Sequence, residues 1–177
     1  MANKLRKMLG DKNAPSTRLL LQLIEAQDKP TVCKWCLDYA EAQFLPIFES
    51  RCHGDCRPRN ALNAARDYLS GKLKFAEVKS TIWRAGDCAT SDDPIAQAAE
   101  RAVGQAASVV RYPSKWHALA VYFYGAAAIA YDCIGLNERT EVYDAIAEEI
   151  CADMTAALQA TANKGVQSGI IVKKDTP

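Results

Sequence analysis

From Trp116 to Cys133 the chain is apolar on nearly every side of a helical projection, and this stretch constrains the fold more than any other. A helix that is apolar all round must be enclosed by other elements. Its uncharged run, Ala118–Tyr131, is 14 residues long, short of the about 20 that span a bilayer. It therefore reads as the centre of a helical bundle, and no membrane association is expected.

The rest of the sequence supplies the helices around that centre. Ser91-Asp92-Asp93-Pro94 is a cap followed by a helix-starting proline. After it, Ile95, Ala98, Ala99, Ala102, Val103, Ala106 and Val110 form one apolar stripe. Thr31–Ser50 carries Cys33, Leu37, Ala40, Phe44 and Phe48 at spacings of three and four, and Pro46 predicts a kink or stop near Leu45. Pro58 starts a helix that Gly71 ends, with Ala61, Ala65, Tyr68 and Leu69 inward. Shorter helices are expected over Ser16–Ala26 and Phe75–Asp87, and a last one from about Asn137 through Val142, Ile146, Ile150, Met154 and Leu158. Gly169-Ile170-Ile171-Val172 is β-prone but isolated. The prediction is an all-α bundle of about six or seven helices, one domain over residues 1–162, with residues 163–177 a flexible tail.

Composition narrows the function. The chain has 177 residues and a net charge of +1, neither the acidity of a nucleic-acid mimic nor a global field for binding DNA or RNA. Lys4, Arg6, Lys7 and Lys12 precede no apolar segment, so no secretory signal is read. The seven cysteines are then expected as reduced thiols in a cytoplasmic protein. There is no phosphate-binding glycine loop, dinucleotide fingerprint or His-Glu-x-x-His motif, and no partner beside His117 that would make a hydrolase triad.

The stretch from about Cys33 to Gly135 carries Phe44-Leu45-Pro46-Ile47-Phe48-Glu49 and Asp55-x-Arg57-Pro58-Arg59-x-Ala61-x-x-Ala64-Ala65-Arg66-x-Tyr68-x-x-Gly71, followed by the alanine-rich helices after Asp92 and Pro113. In these it resembles an immunity protein family of bacterial polymorphic toxin systems, whose members are all-helical and sometimes labelled exonuclease-like. The resemblance implies a non-enzymatic protein that binds a cognate toxin or effector. An immunity-like fold of this size would also serve a phage or other mobile element.

Two constellations bear on chemistry. Asp55, Arg57, Arg59 and Arg66 gather near a helix N-terminus, where guanidinium forks and free N–H groups favour an anion or an acidic partner. With Tyr68 they make the candidate binding face. Internal ion pairs to Asp55, Asp67 or Glu49 explain the same residues and are the simpler reading. Cys33-x-x-Cys36 and Cys52-x-x-x-Cys56 could hold a tetrahedral zinc, but the first pair lies within a helical stripe, and a straight helix would hold the pairs roughly 20 Å apart. A redox role for Cys33 and Cys36 lacks the βαβ pattern that usually carries it.

Trp83-Arg84, Arg111-Tyr112 and Trp116-His117 are polar–aromatic pairs at helix ends that would line a groove or cover the core rim. A pocket joining Arg57, Arg66, Trp83 and His117 would favour a small-molecule or nucleotide-binding protein instead. No cofactor is expected, and a structural zinc protein is the remaining alternative. Alanine faces left exposed would suit a homo-oligomer.

Overall fold

The computed structural model of the chain describes residues 5–85 and 92–172, the stretch 165–172 as backbone alone. Among these residues every regular element is helical: α1 (Pro15–Ala26), α2 (Lys29–Tyr39), a π-helical turn (Ala40–Phe44), α3 (Leu45–Arg51), α4 (Arg57–Leu69), α5 (Phe75–Arg84), α6 (Pro94–Ser108), α7 (Lys115–Ile134) and α8 (Thr140–Val172). The π turn joins α2 and α3 into one uninterrupted rod, so the all-α bundle expected from the sequence is present.

The helix starts follow their local chemistry. Asp93 accepts hydrogen bonds from the Ile95 and Ala96 N–H groups, with Pro94 in the first turn of α6. Ser114 accepts from the His117 N–H to start α7, and Asp28 accepts from the Thr31 N–H to start α2. Such caps satisfy donors that the first turn would leave unpaired.

Pro46 does not stop the helix. Having no N–H, it cannot bond the Ala42 carbonyl, and its ring would press on that group. The chain responds with a wider turn, in which the Leu45 N–H reaches back five residues to Ala40, and α3 continues to Arg51. This turn carries Phe44, fully buried, to Gly125 in the middle of α7.

α6 and α7 make the most extensive helix pair. Ala96, Ala99, Ala102, Ala106, Ala126, Ala127 and Ala130 are all fully buried. The alanine faces are thus internal to the bundle, and the argument that they would serve a homo-oligomer loses its basis. α7 is 20 residues long, and by length and composition alone could cross a membrane. Its flanks are covered by α6, α8 and α1.

α8 packs along α1, α2 and α7. Trp35, 1% exposed, donates its indole N–H to the Met154 carbonyl at 3.1 Å, and the Tyr122 hydroxyl donates to Ala147 at 3.2 Å. Burying rings of this size while satisfying their polar ends is worth roughly 2–3 kcal/mol each. The segment before α1 is pinned by Leu9 N–H to the Phe123 carbonyl at 3.0 Å. Gly10 follows at φ 96°, and a Cβ there would lie 2.3 Å from the Tyr122 hydroxyl, so only glycine fits.

The boundaries differ from expectation at three places. α5 ends at Arg84 with Ala85 in a turn, and the last two residues of its expected length, 86 and 87, lie outside the described residues. Residues 137–139 form a turn before α8, where the Tyr143 hydroxyl donates to Gly135 and accepts from the Glu138 N–H. Finally, α8 runs on through Asn163 to Val172, so the expected loose tail is helical that far. No proline interrupts the chain there, and each added helical residue needs no new nucleus.

Candidate interaction surface

The three arginines of the α4 region do not converge. Arg57 donates through its Nε to both Asp55 oxygens, at 2.8 and 3.0 Å, while its own backbone N–H donates to the same carboxylate at 3.0 Å. Arg59 grips Glu49 with two bonds of 2.7 Å. Arg66 reaches Asp38 and Glu41, each at 2.8 Å, on α2 and the π turn.

The guanidiniums leave their mark on the acids. Hydrogen bonds from Arg57 hold the Asp55 carboxyl below its ordinary value, and Arg59 does the same to Glu49. At Asp38 partial burial pushes upward, but Lys34 and Arg66 together outweigh it and the net shift is down. The sequence anticipates Asp55 and Glu49 as partners. Asp67 pairs with Lys72 instead. Asp38 and Glu41 were not anticipated, because the π turn sets which residues of that rod face α4. Ion pairs this exposed contribute about 0–1 kcal/mol each; they fix how α4 sits on α2 and α3.

The cysteines likewise stay apart from any shared centre. The Cys33 thiol donates to the Val109 carbonyl at 3.8 Å and Cys36 is fully buried. Burial pushes the Cys33 thiol up to about 11 and Cys36 well above its ordinary value. Thiol–disulfide exchange needs the thiolate, which this burial disfavours. Cys52 is half-buried and Cys56 exposed in the turn after α3, where Cys56 faces the Gly54 carbonyl. Among the described residues no three His, Cys, Asp or Glu side chains gather in a way that could hold a metal. Of the four cysteines the sequence offered for zinc, Cys33 and Cys36 are turned into the core, Cys52 and Cys56 lie in the turn after α3, and the chain does not fold back at Pro46.

The aromatic pairs do come together, around a residue the sequence did not single out for this role. Phe75, at the start of α5, sits edge-on to Tyr68 of α4 at 5.5 Å and to Trp83 at 6.5 Å. Arg111, in the connection between α6 and α7, lays its guanidinium over Phe75 at 5.1 Å and over Tyr112 at 5.4 Å. Tyr112 stacks on His117 at 5.6 Å, and His117 Nδ1 shares a hydrogen bond of 2.7 Å with the Ser114 hydroxyl. Lys79 covers the Trp83 ring at 4.2 Å. The result is a continuous ribbon from Trp83 to His117 on the outside of the bundle.

Trp83, Tyr112 and Trp116 are 43%, 48% and 59% exposed. A groove of about 420 Å³ lies beside the ribbon, walled by Lys29, Pro30, Tyr68, Leu69, Val110 and Arg111. Trp83 and His117 thus belong to this ribbon, whereas Arg57 and Arg66 are held by carboxylates elsewhere. The pocket that would join all four is not formed.

A family model described as "Imm-5 like putative immunity protein" matches residues 22–157. The match extends beyond the expected Cys33–Gly135 stretch on both sides, from within α1 to within α8. No curated protein and no solved structure matches the chain.

Proposed function

The chain belongs to the Imm-5 like immunity protein family, and we propose that it neutralises a cognate toxin or effector by binding it. The observation that carries this reading is the match across residues 22–157, which takes in α2 to α7 with parts of α1 and α8. Proteins of immunity families generally act by contact and not by catalysis. A bundle with interlocked helices suits that role, because a surface already rigid loses little conformational freedom on binding.

The protein would meet its toxin in the cytoplasm, where thiols such as exposed Cys56 and Cys133 stay reduced. It would act without metal or cofactor. The test is co-expression with the toxin encoded beside its own gene. The expected result is restored growth, together with a complex of the two purified proteins that elutes as one species. Continued killing in the presence of folded, abundant protein would refute the reading, as would protection without complex formation.

A further inference from the structure

Resting on that toxin-binding reading, we propose that the ribbon and groove formed by Tyr68, Leu69, Phe75, Arg111 and Tyr112 are the toxin-facing surface, and that their occupant is an acidic segment of the toxin carrying an apolar or aromatic side chain.

Arg6, Arg51, Arg57, Arg59 and Arg66 each have a carboxylate within the chain. Arg111 is different: its contacts are the Phe75 and Tyr112 rings, and it makes no ion pair among the described residues. Stacking on rings engages the faces of a guanidinium and leaves its N–H edge for a carboxylate. Arg111 is thus exposed, held against two rings and without a carboxylate partner among the described residues.

Lys29, which also lines the groove, is likewise exposed and without an ion pair among the described residues. Among the described residues the groove is lined by these two cations and by no carboxylate. Acids on the adjoining elements are already engaged, Asp28 accepting the Thr31 N–H. Glu25 pairs with Lys115, Asp67 pairs with Lys72, and Glu77 accepts the Lys74 N–H at the start of α5. An incoming carboxylate would therefore meet two positive charges in the groove.

The apolar part of the surface gives the second half of the occupant. Leu69, Trp83, Tyr112 and Trp116 are four of the six large apolar side chains left exposed among the described residues. Leu69 ends α4, Trp83 lies on α5, Tyr112 in the α6–α7 connection and Trp116 at the start of α7. Tyrosine, tryptophan and arginine together are the composition of energetic centres in protein interfaces. By contrast, the groove along Asp11, Glu141, Asp144 and Glu148 is acidic, with Arg6 already bound to Asp144.

The experiment uses the full chain and its catalytically inactivated toxin, with affinity measured by calorimetry. Arg111→Ala, Tyr112→Ala and Lys29→Glu are each expected to raise Kd at least about tenfold. Arg59→Ala, which loses only an internal pair, is expected to stay within about twofold. All four sites are exposed, and melting curves establish that each variant is folded. Amide exchange on the complex is expected to protect residues 68–75 and 110–117 together with a toxin segment rich in Asp or Glu.

Unchanged binding by Arg111→Ala and Tyr112→Ala, or protection of a basic toxin segment, would overturn the groove assignment while leaving toxin binding intact. Occupation of the groove by a second copy of this chain, or by a single-stranded RNA oligonucleotide, would also overturn it. If the wild-type chain fails to bind the toxin, the toxin-binding reading itself falls.

Discussion

Replacing Gly125 by alanine isolates the contact that lets the π turn and α7 share the core. Two effects oppose each other. Alanine is the better helix former, by about 0.8–1 kcal/mol at an interior position. Against that, its Cβ would lie 2.1, 2.5 and 2.9 Å from three atoms of the Phe44 ring. Phe44 is fully buried and packed edge-on to Tyr39 at 5.4 Å, so the ring has nowhere to swing. Overpacking of this kind costs typically 1–3 kcal/mol, and overlap with three ring atoms places it toward the upper figure. The net expectation is a loss of about 2 kcal/mol, or a melting temperature about 4–8 °C lower for a domain of this size. Urea unfolding of Gly125→Ala, Phe44→Leu and the double variant measures it. Phe44→Leu alone should cost about 1–2 kcal/mol, and the double variant should cost clearly less than the sum, since the smaller side chain vacates the space the new methyl needs. A Gly125→Ala protein as stable as the wild type, or strictly additive costs, would refute the packing argument.

Three further outcomes follow from the geometry. Arg51 ties α3 to Asp93 at 2.9 Å and to Asp132 at 2.8 Å; Arg51→Met should therefore cost about 1 kcal/mol, and an unchanged urea midpoint would show that the network adds nothing. Glu49 and Asp55 have native values held below their ordinary 4.5 and 3.8 by Arg59 and Arg57. Their stabilisation is present above the unfolded values and lost as pH falls through the lowered native ones. Melting temperature should drop below about pH 4.5, and in Arg59→Ala the Glu49 carboxyl, followed by NMR, should return toward 4.5; an unmoved titration would discount the pair. Exposed Cys56 and Cys133 should react quickly with an aromatic disulfide at pH 8, while Cys33, pushed up to about 11, and buried Cys36 should wait for unfolding. A chelator should leave both rates and melting unchanged; chelator-induced unfolding would restore a metal role.

The bundle was legible because its signals are local. The all-round apolar helix at Trp116–Cys133, the Asp93-Pro94 start and the Pro58 and Gly71 boundaries each depend on a few neighbouring residues, and each is found where expected. What was missed depends on register. Pro46 announces trouble in a helix, but a stop, a kink and a π turn all relieve the same clash. The choice among them rests on where Phe44 must go to meet Gly125, a residue far along the chain. The separation of the two cysteine pairs has the same origin, since the chain runs on through that proline.

The arginines show the corresponding limit for the site. A run such as Arg57-Pro58-Arg59 attracts attention because the charges are close in sequence, yet closeness in sequence also places them within reach of carboxylates one or two turns away. Asp55 and Glu49 take two of them, and the π turn delivers Asp38 and Glu41 to the third. Arg111 has no such company: Ser108, Val109, Val110, Tyr112, Pro113 and Ser114 around it are all uncharged. A cation in an uncharged connection has to find its partners from elsewhere in the fold, and here the fold offers rings. An arginine that the fold orients but does not neutralise is the group an acidic partner can bind with the smallest loss of existing interactions. That asymmetry, more than the number of arginines, moves the expected interface from the start of α4 to the surface between α4, α5 and the α6–α7 connection.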